Sequence, residues 1–149
     1  MSKIQESVDV DVPVRTAYDQ WTQFEEFPTF MEGVQSVTQL DDTHLRWVAD
    51  IAGVRREWDA EITEQHPDER VAWRASNGTA NAGVVTFHRL SDHRTRVMLQ
   101  LDVEPHGAVE RAGDALGFIR RRAVSDLERF KERIESTSKA SGAWRGDVD

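Results

Sequence analysis

Residues 108–136 read AVERAGDALGFIRRRAVSDLERFKERIES. Within them Val109, Ala112, Leu116, Ile119, Ala123, Leu127, Phe130 and Ile134 recur at spacings of three and four, the period of a helix with one apolar stripe. Glu110 in the first turn and Arg129, Lys131 and Arg133 near the end suit the helix dipole. The pattern predicts a helix from Ala108 to about Ser136, roughly 43 Å long at 1.5 Å per residue. A helix of that length with a single greasy face needs a broad surface to cover.

The chain before it supplies that surface. From Val34 to Glu104 the apolar period is two, interrupted at short intervals by turn residues. Strands are predicted at Val34–Leu40, His44–Ile51, Val54–Glu64, Arg70–Ala75, Ala82–Leu90 and Thr95–Val103. Connections this short make hairpins, so the strands form an antiparallel meander. Lys3–Val12 alternates in the same way and adds a seventh strand. After it, Pro13 opens a short helix carrying Val14, Ala17, Tyr18, Trp21 and Phe24. Phe24-Glu25-Glu26-Phe27-Pro28-Thr29-Phe30-Met31 is too aromatic for a plain solvent loop, and its Pro28 is expected to open a second helical turn.

Composition narrows the function classes. With 149 residues, the chain is one domain. Nineteen Lys and Arg against 27 Asp and Glu leave a net charge of −8, which repels nucleic acid and anionic membrane surfaces. The absence of cysteine excludes disulfides, Cys-ligated metals and thiol catalysis. No apolar run is long enough to span a membrane, and residues 1–6 lack the apolar core of a signal peptide, so a cytoplasmic location is expected. Gly-rich phosphate loops and a Gly-x-Ser-x-Gly elbow are missing. The five histidines show no metal-ligand spacing, and neither a metal nor a cofactor is expected. Residues 137–149 offer nothing to bury except Trp144, and a flexible tail is expected there.

The element order resembles the helix-grip fold, an α+β arrangement in which a seven-stranded curved antiparallel sheet wraps a long C-terminal helix, with two short helices between strands one and two. The resemblance extends to residues: Val10-Asp11-Val12-Pro13-Val14 leading into Tyr18-Asp19-Gln20-Trp21, and Phe27-Pro28-Thr29-Phe30-Met31-Glu32-Gly33-Val34. It continues through Arg56-Glu57-Trp58-Asp59-Ala60-Glu61-Ile62, Val71-Ala72-Trp73-Arg74, Gly83-Val84-Val85-Thr86-Phe87 and Thr95-Arg96-Val97. Over residues 1–136 the chain resembles the START-like (SRPBCC) superfamily in its polyketide cyclase/dehydrase branch. That resemblance implies a cavity between helix and sheet, and leaves the reaction open.

Physical reasoning also expects a cavity. A straight helix touches a curved sheet along one line only, and Gly113, Ala115 and Gly117 thin its first half. Facing it on the apolar parity are Trp47 and Ile51, Trp58, Trp73, Phe87 and Leu99, with Leu116 on the helix. The three indoles either line a cavity for a flat, greasy guest or simply fill the core. Arg56 shares Trp58's parity; it is either a fork of donors at the cavity mouth or a strand-end cation in water. Tyr18 and Phe30, on the segment before the second strand, could reach the same space, Tyr18 equally as a buried structural hydroxyl. Glu57, Asp59 and Glu61 alternate opposite Trp58 and read as a wet outer face. Arg120, Arg121 and Arg122 splay around the helix and read as solvated.

Three functions remain. The first is a binding module, monomeric or homodimeric, for a hydrophobic, polyketide-like or lipid-like small molecule. The second is a polyketide cyclase, aromatase or dehydratase acting in the same cavity, with no sharp catalytic motif. The third is a protein-interaction module using exposed aromatics around Phe27 and Phe30 or the Trp144 tail.

Overall fold

The hairpins predicted from short turns form as expected. Ile51 and Val54 pair across the tip joining the third and fourth strands, where Gly53 has φ +82°, a left-handed conformation that a side chain would strain. The computed structural model describes residues 2–31, 33–51, 53–75, 81–103, 109–143 and 145–148, without the side chains of residues 2, 51, 54, 81, 103, 109–116 and 118. In chain order these residues form β1 (Ser2–Val10), α1 (Val14–Trp21), a 3-10 helix (Phe24–Thr29), β2 (Val34–Gln39), β3 (His44–Ile51) and β4 (Val54–His66). They continue as β5 (Arg70–Ala75), β6 (Asn81–Ser91), β7 (Arg94–Val103) and α2 (Val109–Thr137). The sheet runs β1-β7-β6-β5-β4-β3-β2 with every neighbouring pair antiparallel, and it curls around α2 in the helix-grip manner.

Strand limits match the sequence reading within two residues. The differences are local. Pro28 lies inside the 3-10 helix near its end and does not open a turn. In β4 the register shifts between Ile62 and Glu64, so Thr63 is an extra residue and the side-chain alternation reverses beyond it. Gln65 is thereby turned inward opposite Val71 and is 1% exposed, where simple alternation would have placed residue 64.

The aromatic segment is a wedge. Trp21, Phe24, Phe27 and Phe30 are all buried, and Phe130 of α2 meets Trp21 at 5.1 Å and Phe30 at 5.4 Å, both edge to face. Phe27 and Phe30, 3% and 2% exposed, therefore present no docking surface; Phe27 packs on Trp21, Phe24 and Trp47, and Phe30 on Trp21 and Phe130 of α2.

Polar contacts fix the same half of the helix. Lys131 Nζ donates to the Asp9 carbonyl at 3.1 Å and pairs with Glu135 at 2.6 Å, Glu135 accepts from the Asp11 N–H at 2.8 Å, and Arg133 pairs with Glu26 at 2.6 Å. Among the described residues the backbone of α2 comes close to β1, with Ala123, Leu127, Phe130 and Ile134 buried beneath it.

The C-terminal segment is laid over α1 by polar contacts, which apolar periodicity does not detect. Arg145 pairs with Asp19 at 2.6 Å and Asp68 at 2.7 Å and sits 5.6 Å from the centre of the Tyr18 ring. Ser141 N–H donates to Gln20, and Val148 exchanges two 2.8 Å backbone bonds with Gln65. Trp144 lies outside the described residues. Among the described residues no helix is long and apolar enough to cross a membrane.

Two measurements check this account. Phe130→Ala removes the fully buried ring that joins α2 to the wedge and is expected to cost about 3–5 kcal/mol in urea unfolding. Asp9 is held below its ordinary 3.8 by the Arg96 guanidinium that donates to both its oxygens, with Arg94 and Lys131 adding to the effect. A lowered folded pKa gives stabilisation that is complete above pH 3.8 and is lost as pH falls through the folded value. Asp9→Asn should therefore be less stable than wild type at neutral pH and lose less stability on acidification below pH 3.8.

Candidate functional site

Because α2 is fixed along its second half, space remains where it passes over β3, β4 and β5. The space is a cavity of about 220 Å³. Its sheet side carries Trp47, Trp58, Trp73, Leu99 and Leu101, together with Ile62 and Val71. Trp47 and Trp58 are direct partners in the β3–β4 ladder and stack with centroids 5.7 Å apart and planes 6° from parallel. Trp21, Phe24, Phe27 and Met31 close one side, and Ile119, Ala123 and Leu127 of α2 form the roof. The lining is overwhelmingly apolar, the composition expected of a site for a small organic guest.

Charged groups enter at the edge. Arg122 and Asp126 line the cavity from α2, joined by Asp50 at the end of β3. The Arg122 guanidinium and the Asp50 carbonyl both come close to the position that a Cβ at Gly33 would occupy. Gly33, at φ +90°, is thus required twice, for its backbone angle and for the room it leaves Arg122.

Of the ten residues singled out from sequence, Trp47, Trp58, Trp73 and Leu99 line this cavity together. The other described ones sit elsewhere. Tyr18 is completely buried, edge to face with Phe87 at 5.5 Å, and both belong to the packed core beside the cavity. Burial pushes the Tyr18 phenol up in pKa; the Gln65 amide lies near its hydroxyl without closing a hydrogen bond of normal geometry. Phe30 is spent on Trp21 and Phe130. Arg56 pairs with Ala49 and shares the inner parity of Trp58, yet it lies next to the hairpin tip, half-buried, and is not among the lining residues. The side chains of Ile51 and Leu116 fall outside the described set.

Sequence reasoning missed Arg122 and Asp126 by treating the arginine run as uniformly solvated. Arg120 and Arg121 are exposed as expected, but Arg122 is half-buried. The signal was present: positions 122 and 126 follow Ile119 by three and seven residues and therefore border the apolar stripe. Glu57, Asp59 and Glu61 face outward, where Arg46 reaches Glu57 at 3.1 Å and Asp59 at 2.8 Å and Arg74 reaches Glu61 at 3.3 Å. Among the described residues, no cluster of three or more His, Asp or Glu side chains could hold a metal ion.

Known proteins share this architecture. An uncharacterised 17.2 kDa protein of Streptomyces lincolnensis is 57% identical over 149 residues, 99% of each chain. The aromatase/cyclase Zhui from a Streptomyces species superposes with a TM-score of 0.79 at 16% identity, covering 96% of this chain and 99% of that one. A START superfamily protein from Mycobacterium smegmatis gives 0.75 at 15% identity, covering 89% and 98%. Identities this low establish the shared fold alone. The family model described as polyketide cyclase/dehydrase and lipid transport matches residues 10–132, most of the length, and the chain belongs to that family.

Proposed function

We propose that this protein binds a hydrophobic, polyketide-like or lipid-like small molecule between α2 and the sheet. The observation that carries the reading is the cavity itself: about 220 Å³ walled by indole, phenyl and aliphatic side chains beside a helix that could have been packed solid. A purely apolar void of about 150 Å³ already admits benzene in an engineered protein. A guest burying about 200 Å² of ring surface would gain about 5 kcal/mol, a dissociation constant near 0.2 mM before any polar contact. Trp47 and Trp58 offer a parallel aromatic pair against which such a ring can stack.

The test is a titration of the protein with 2-naphthol while tryptophan emission is followed. Quenching that saturates is expected, and Ala123→Leu, which extends a roof side chain into the cavity, should weaken binding tenfold or more while leaving the melting temperature equal or higher. Unchanged emission across neutral ring compounds and fatty acids would overturn the reading.

One observation favours turnover as a second reading. Arg122 and Asp126 bring an ionisable pair to an otherwise apolar wall, and cyclisation or dehydration of a poly-β-ketone needs groups that orient an enolate and move protons. With Tyr18 buried away from the cavity, these two replace Tyr18 and Arg56 as the residues to alter. If the protein is such an enzyme, Arg122→Ala and Asp126→Asn should each slow conversion of a poly-β-ketone thioester at least tenfold, measured by product chromatography. Activity indifferent to both would dissociate the charged rim from catalysis.

A further inference from the structure

Trp73 of β5 and Gly83 of β6 are direct ladder partners, and Gly83 is in turn opposite Leu101 of β7. Partners across antiparallel strands point to the same face. Since Trp73 and Leu101 both line the cavity, position 83 belongs to the same wall, between them. It does not itself line the cavity, because the Trp73 ring takes the place a side chain would fill. A Cβ added to Gly83 would lie 2.5 Å from Cζ2 and 3.0 Å from Cε2 of Trp73. Carbon atoms make favourable contact only from about 3.5 Å, so the ring in its present position and any side chain at 83 exclude one another.

The backbone does not explain this glycine. Gly33 and Gly53 have left-handed φ values, whereas Gly83 does not, so alanine could adopt its conformation. What Gly83 supplies is space. On the other flank Trp73 faces Ile62, which is 2% exposed, so among the described residues a displaced indole is blocked along the sheet on that side and can move toward the cavity that it lines.

Resting on the reading of the cavity as a ligand site, we infer that Gly83 is a specificity-determining position. By seating the Trp73 ring it sets the cavity's depth on the β5–β6 side, and with it the largest neutral polycyclic guest that can enter. Any substituent at 83 turns the indole inward and shortens the list of guests from the large end.

The experiment compares a two-ring probe, 2-naphthol, with a four-ring probe, 1-hydroxypyrene, in wild type, Gly83→Ala, Trp73→Leu and the double variant, with folding checked by circular dichroism. Gly83→Ala should weaken 1-hydroxypyrene relative to 2-naphthol about tenfold. Trp73→Leu should shift the ratio the other way, and adding Gly83→Ala to it should change the ratio little, since the ring that competes for the space is gone. A folded Gly83→Ala protein with the wild-type ratio, or an equal effect in both backgrounds, overturns the inference while leaving the ligand site intact. If Gly83→Ala does not fold, rescue of folding by Trp73→Leu supports the seat, and failure of the double variant to fold overturns it by assigning the clash to the Gln100 carbonyl, 3.0 Å from the same Cβ position. Wild type binding neither probe sinks the ligand-site reading itself.

Discussion

A straight helix cannot follow a curled sheet, and among the described residues the line of contact lies toward the C-terminal end of the helix. Phe130 inserted against Trp21 and Phe30, the Lys131–Glu135 pair reaching the Asp9 and Asp11 backbone, and the Arg133–Glu26 pair all act on its last turns. With that end fixed, α2 can approach β3–β5 only as closely as the residues between allow. The cavity is the geometrical remainder of this anchoring. Left as a void in a rigid interior, 220 Å³ would forgo roughly 5 kcal/mol of packing, an upper bound for a space that opens to solvent. The anchoring contacts outside it offset that loss, which places the packed and the hollow halves of the domain in one energetic balance.

Polar groups are distributed by the same logic. Charged pairs lie at the periphery of the fold, on the outer face of β3–β5, between β1 and β7 and under the C-terminal segment, where desolvation is partial and the ions can be matched. Inside, the wall is nearly free of charge, and the exceptions stand where α2, β2 and the end of β3 meet. There a long arginine can keep its stem on apolar surface and its head against backbone carbonyl and glycine. Among the described lining residues, the charged groups stand at that edge.

How much of this could be read from the sequence follows from the range of each interaction. The two periodicities, two and 3.6, arise from neighbours a few residues apart, and strands, helix and inner parity were legible from them. Thr63 was not: a bulge is one extra residue in one strand, visible only against its partner, and it is what turns Gln65 inward. The residues paired with Arg145 lie 126 and 77 positions away, joined by polar contacts without any period. Burial of Tyr18, Phe30 and Phe87 was within reach of pattern reading, but whether a buried ring meets a void or another ring depends on where separate elements come to rest. Trp47 and Trp58 face open space; Tyr18 and Phe87 face each other.

The walls of such a cavity are therefore set less by the large residues that name themselves in a sequence than by the small ones that decide where the large ones lie. Trp73 is where it is because residue 83 has no side chain, and Arg122 crosses toward β2 because residue 33 has none. In both cases a glycine on one element and a bulky group on another act as a pair, and neither is informative alone. Exchanging the members of such pairs would reshape the hollow while leaving in place the contacts that hold the last turns of α2. The roof residues Ile119, Ala123 and Leu127 lead directly into the anchoring residues Phe130, Lys131 and Arg133, so one helix serves both the hollow and the packed core.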